Sequence, residues 1–269
     1  MTTTGALAVV LLVLAATSVW VHLGPGRVHV VTGPLAAVLL LLVGRMAGLT
    51  WPQMGLGRQE LQRGALVGLS AAGVVAIVYA VAVAIPFTRG AFRDTRYRLG
   101  PGAALYTSLV AIPLGTVVFE EVAFRGVLWG LLARDFGALA ATAASACLFG
   151  LWHVLPAMDL ARANTSVQGR TAAGRRRVAI TVLATVVFTT VAGIVFAELR
   201  RRSGSLAAPI GLHWATNGLG VLAAAGVWAA SPGDRRDRAD RRTGSPSGPV
   251  SASQPTWRRV VRRGRSGRS

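Results

Sequence analysis

The chain has no lysine, one cysteine and only ten acidic residues in 269 positions. Charged residues make up 14% of it against 52% hydrophobic, and mean hydropathy is +0.51. So little charge cannot cover the surface of a soluble domain of this length, which leaves lipid as the solvent. A lone cysteine excludes an intrachain disulfide, and Cys147, inside an apolar stretch, reads as a small buried hydrophobe. No ten-residue segments alternate polar with apolar, so a transmembrane barrel is excluded and helices must satisfy the backbone. Residues 1–5 lack the positive region of a secretion signal, and no small-x-small cleavage site follows residues 11–20. The first apolar run is therefore expected to stay in place as a helix. All 29 basic residues are arginine, a usage that reads as genome composition rather than function.

Long apolar runs are what the chain has in abundance. Seven of them approach the ~20 residues needed to cross a bilayer: 5–23, 29–50, 64–86, 103–132, 135–156, 178–198 and 205–230. The expected fold is all-α, a polytopic transmembrane helical bundle of about seven spans. The chain divides into three regions: N-terminal transmembrane helices over 1–99, a helical core over 100–231, and an arginine-rich tail over 232–269. The tail is Ser, Pro, Gly, Asp and Arg with eleven arginines, cannot bury a core, and is expected to be disordered. Beside a membrane it suits anionic lipid better than a specific nucleic acid. With the tail cytoplasmic, 21 arginines fall inside. Outside fall six, Arg58, Arg63, Arg134, Arg200, Arg201 and Arg202. That asymmetry obeys the positive-inside rule for a multi-pass cell-membrane protein.

Ionisable groups inside a membrane cost a few kcal/mol or more and are kept where they are paired or functional. Arg45 can snorkel from a helix end, and Glu198 stands beside the 200–202 arginines at an interface. Three other places matter more. In Phe119-Glu120-Glu121-Val122-Ala123-Phe124-Arg125-Gly126, Glu121 and Arg125 share a helix face at i,i+4, while Glu120 turns away by about 100°. Two adjacent carboxylates beside one guanidinium suit one structural anion and one proton acceptor. Taken alone, the same motif also serves as a buried ion pair locking two helices. The second place, Phe149-Gly150-Leu151-Trp152-His153, offers a histidine that by itself reads as a packing residue as readily as a catalyst. The third places His213 and Asn217 four apart on one face, as two donors for an oxyanion or as glue between helices. Together they provide a base, a positioned water and an anion hole, the equipment for hydrolysing an amide.

The order E-E-x-x-x-R, F-x-x-x-H, H-x-x-x-N resembles the three-part pattern of CAAX prenyl endopeptidases and their bacterial relatives. These are the CPBP or Abi intramembrane proteases, among them bacteriocin-processing and immunity proteins. The resemblance covers about 100–230, and the segment Met54-Gly55-Leu56-Gly57-Arg58 is similar to the family's upstream region. It implies an intramembrane endopeptidase acting on a membrane-associated protein or peptide. Glu120 would be the general base, His153 would help hold the water, His213 and Asn217 would bind the oxyanion, and Glu121 with Arg125 would fix the geometry. The family carries a metalloprotease label, and Glu120, His153 and His213 would be the zinc set. The sequence favours no cofactor, because no H-E-x-x-H pair is present and Asn217 is a poor zinc ligand; zinc stays the alternative. The competing function is a non-catalytic membrane scaffold or bacteriocin-immunity protein. A proton-coupled transporter is a further one, weakened by the lack of an inverted repeat. On straight spans His153 falls near the inner face and His213 nearer the outer. A shared site therefore requires tilted or broken helices, for which Pro113, Pro156 and Pro209 are candidates.

Overall fold

The computed structural model describes residues 1–23, 28–164 and 172–231. Among these there are helices and turns and no strand. Six helices among these residues are long and apolar enough to cross a membrane. Helix α1 is Thr3–Leu23, α2 His29–Met46 and α3 Arg58–Ala84. The fourth apolar run, Pro101–Asp159, has 59 residues. A straight helix of that length would reach about 90 Å, three times the hydrocarbon thickness.

It does not run straight. Gly137 sits at φ 81°, ψ 165°, a backbone state that glycine enters without a Cβ penalty. Across it, the Trp129 indole N–H donates to Thr142 Oγ1 at 3.1 Å and Ser145 Oγ to the Phe124 carbonyl at 2.8 Å. Those contacts require the chain to double back, so α4 (101–136) and α5 (138–152) are antiparallel limbs. The two apolar segments expected at 103–132 and 135–156 are these limbs. Helix α5 ends at Trp152, and after His153 (φ −86°, ψ 2°) the chain resumes as α6, Val154–Asn164. Pro156 explains the break: it lacks the N–H that would bond the Trp152 carbonyl, and its ring would strike that carbonyl. Both limbs lie along α7, Ala172–Ser203.

The last span, α8 (Ala207–Ala230), starts from a sunken turn. The Leu206 N–H donates to the Gly55 carbonyl at 2.8 Å, and Ser205 packs where a Cβ on Gly64 would be 2.4 Å from its own Cβ. One turn on, a Cβ on Gly68 would lie 2.6 Å from the Ala207 carbonyl oxygen. Small residues four apart on α3 thus let two backbones touch, the usual membrane substitute for hydrophobic driving force. Pro209 stands in the first turn of α8, where a missing N–H costs nothing. Sinking this turn moves His213 deeper than a straight span would.

Two residues differ from the sequence reading. Cys147 is exposed on the bundle's outer surface rather than buried. Lipid rewards an apolar side chain on an outer helix face, so hydrophobic context there does not imply burial in protein. Arg200, counted with the loop arginines, is 4% exposed. Its Nη2 donates to the carbonyls of Pro52 and Gln53 at 2.9 and 3.0 Å, clamping the turn before α3. Arg45 keeps to a helix end, donating to the Leu49 carbonyl with its guanidinium 5.4 Å from the Trp51 ring centroid. The bundle is one compact unit over Met1–Val227; a second begins at Trp228, described only to Ser231. The arginine-rich tail over 232–269 lies outside the described residues.

Candidate active site

Three helices bring the polar residues together. Wide π-type turns occur at 107–111, 113–117, 122–128 and 215–219, one of them opening at Pro113. Each inserts about a residue into the helical turn and re-aims the side chains beyond it. They flank Glu120 and Glu121 on α4 and carry Asn217 on α8.

Glu121 is the hub. Its Oε1 accepts from Arg125 Nη1 at 3.1 Å and from His213 Nδ1 at 2.7 Å. The side chains of Glu121 and Arg125 are wholly buried. The remaining faces of the guanidinium meet aromatic rings, with its centre 4.0 Å from the Phe149 centroid and 5.0 Å from that of Phe196. Phe196 also stacks on His213, centroids 4.9 Å apart at 20°. Gly193 makes room for this arrangement, since a Cβ there would lie 3.0 Å from the Ala146 Cα and 3.3 Å from Arg125 Nη2.

Glu120 stands off this pair, as the helical angle requires. Its Oε1 accepts from the Trp152 indole N–H at 3.0 Å, and its Oε2 is 3.8 Å from His213 Nε2. Glu120 keeps 5% exposure where Glu121 and Arg125 have none.

His153 reaches the cluster through Phe149, whose ring centroid is 4.6 Å from its own and 5.9 Å from that of His213. Its Nδ1 donates to the Phe149 carbonyl at 2.8 Å. A carbonyl only accepts, so the proton is on Nδ1 and the neutral ring keeps its lone pair on Nε2. His153 and Asn217 line one cavity of about 520 Å³, together with Thr116 and Thr216. Its outer wall is the segment between α3 and α4, including Phe92, Asp94 and Arg96. There Arg96 Nη2 binds Asp94 Oδ2 at 2.6 Å, and that hydrogen bond holds the carboxyl below the usual carboxylate range. Tyr79 of α3 meets Phe92 edge-on at 5.4 Å and donates to the Thr216 carbonyl at 2.9 Å, tying the wall to the turn that carries Asn217.

All six residues singled out in the sequence therefore fall in one region. Glu120, Glu121, Arg125 and His213 form a contact cluster, and His153 and Asn217 stand at the adjoining cavity. Residues 102–219 match the family model described as Rce1-like, type II CAAX prenyl endopeptidase. Over this core the chain is similar to the CAAX-protease family. The matched segment contains all six residues and leaves out α1 to α3. No curated protein and no solved structure matches the chain.

Among the described residues no three His, Cys, Asp or Glu side chains converge as a metal ion would require, the set Glu120, His153 and His213 included. His213 has already given Nδ1 to Glu121, and His153 stands apart on the cavity wall. Two contributors escaped the sequence reading. Phe196 has no polar signal, and only its contact with Arg125 and His213 gives it meaning. Trp152 is adjacent to His153, yet no spacing rule pairs an indole with Glu120, 32 residues earlier.

Proposed function

We propose that the protein is a CAAX-protease-type intramembrane endopeptidase acting on membrane-associated substrates, a reading supported by the match over residues 102–219 and by the apolar helices. We further propose that it cleaves the peptide bond with water activated by Glu120, without a metal. The carrying observation is the different setting of the two carboxylates: Glu121 Oε1 is bound by both Arg125 and His213 in a wholly buried pair, while Glu120 has no arginine on it and accepts from the neutral Trp152 indole. Glu120 takes a proton from water as the water oxygen attacks the scissile carbonyl carbon. The C–N bond of the tetrahedral intermediate then breaks, and the proton passes from Glu120 to the leaving amine. His153 holds the water through Nε2. Asn217 donates its amide N–H to the oxyanion. His213, with Nδ1–H given to Glu121, donates a second bond through Nε2 only as an imidazolium.

The substrate class follows from the membrane setting: a protein or peptide tethered to or lying in the bilayer. Comparing membrane-associated peptide termini in cells with and without the protein should reveal new termini dependent on it. Identical termini would support the competing scaffold or immunity role. Metal analysis of active purified protein tests the mechanism. One zinc per chain, with activity lost on removal and regained on return, would overturn it.

A further inference from the structure

Among the described residues Trp152 is the neutral donor that hydrogen-bonds the proposed base, and its placement is built in. The α5 break caused by Pro156 comes immediately after it, so adjacent residues serve two ends of the site: Trp152 turns to Glu120, and His153 lines the cavity. The indole ring is held by Phe119 and Phe124 of α4, centroids 5.9 and 6.0 Å away, on the limb that carries Glu120. An indole N–H donates and never accepts. It therefore occupies one oxygen of Glu120 without competing for the proton.

We propose that Trp152 is a positioning residue for catalysis: its N–H pins Oε1 of Glu120, so that Oε2 alone takes the proton from water. Oε2 is the oxygen without a hydrogen-bond partner, and it is the one facing His213. Pinning removes rotation about the terminal carboxylate bond, which would otherwise let either oxygen turn toward the water. A packing role alone would need the ring and not the nitrogen. The proposal rests on Glu120 being the base.

The test separates nitrogen from ring. Trp152→Phe keeps an aromatic between Phe119 and Phe124 and removes the donor; Trp152→His restores a ring N–H. In proteoliposomes with a farnesylated peptide ending in a CAAX sequence, Trp152→Phe should lower kcat by about 10–100-fold, the effect of losing a hydrogen bond to a charged group, with KM unchanged. Trp152→His should recover part of the loss. Infrared difference spectra need no substrate: the carboxylate band assigned to Glu120 by its absence in Glu120→Gln should move in Trp152→Phe. An unmoved band overturns the contact whether or not the probe is cleaved. If Glu120→Gln is inactive while Trp152→Phe keeps wild-type kcat, this inference alone fails. If Glu120→Gln itself keeps wild-type turnover, the base assignment beneath it fails.

Discussion

Glu121 binds both Arg125 at 3.1 Å and His213 at 2.7 Å, and among the described residues no other carboxylate lies within 3.5 Å of either. Removing one member of a wholly buried pair strands the other, at about 3–5 kcal/mol. Glu121→Gln and Arg125→Gln should each lower the melting temperature in detergent well below that of Glu120→Gln, whose carboxylate has no arginine partner. Equal melting across the three would contradict the pairing. The proposed oxyanion donors should show the opposite signature. His213→Ala and Asn217→Ala should each cost about 10²–10³ in rate, with Asn217→Ala, at the cavity wall, melting close to wild type. These pairings were legible in the sequence wherever they were local. Glu121 with Arg125 is an i,i+4 relation that a helix alone imposes. The link from Glu121 to His213 spans 92 residues and exists only because α4 and α8 pack, so the sequence could nominate both residues without joining them.

Helices α3 and α8 approach through glycine. Gly68→Val would drive a branched side chain into the Ala207 carbonyl, whereas nothing lies within 4 Å of a Cβ on Gly73. Gly68→Val should destabilise by about 1–3 kcal/mol, the range for overpacking, and Gly73→Val hardly at all. A thermal shift comparison checks this, and equal losses would mean the close approach is not structural. Hydropathy located the spans because lipid demands apolar length, yet it could not show how deep each one begins. The turn at 203–206 is sunk against α3 by Gly55 and Gly64, and the α5 break follows from Pro156. Between them they bring His213 and the end of α5 to Glu120 and remove the offset that straight spans would leave. Pro156 was a visible candidate. The Gly64-x-x-x-Gly68 pair was equally visible as text, but it is meaningful only once its partner helix is known.

At the scale of the whole molecule, the described bundle ends its compact unit at Val227 and the proposed catalytic residues all lie before it. Truncation after Ser231 should therefore leave insertion and turnover intact, and weaken only attachment to anionic vesicles, most at low salt. Loss of insertion or turnover on truncation would assign the tail a structural part. The arginine asymmetry places that tail in the cytoplasm on the proposed topology, and reporter fusions at Ser231 should read as cytoplasmic. On that topology the cavity with His153 and Asn217 opens toward the cytoplasmic end, beside the segment carrying Asp94 and Arg96.

The central claim is that Glu120, held by a neutral indole and not by an arginine, makes the protein a hydrolase rather than a scaffold. Turnover of purified Glu120→Gln, reconstituted beside wild type at matched folded amounts, tests it most directly. The account predicts a protein that inserts and melts close to wild type while its cleavage rate falls by about 10²–10⁴, the contribution of a positioned general base. Cleavage at the wild-type rate, or a variant that cannot fold, would contradict it.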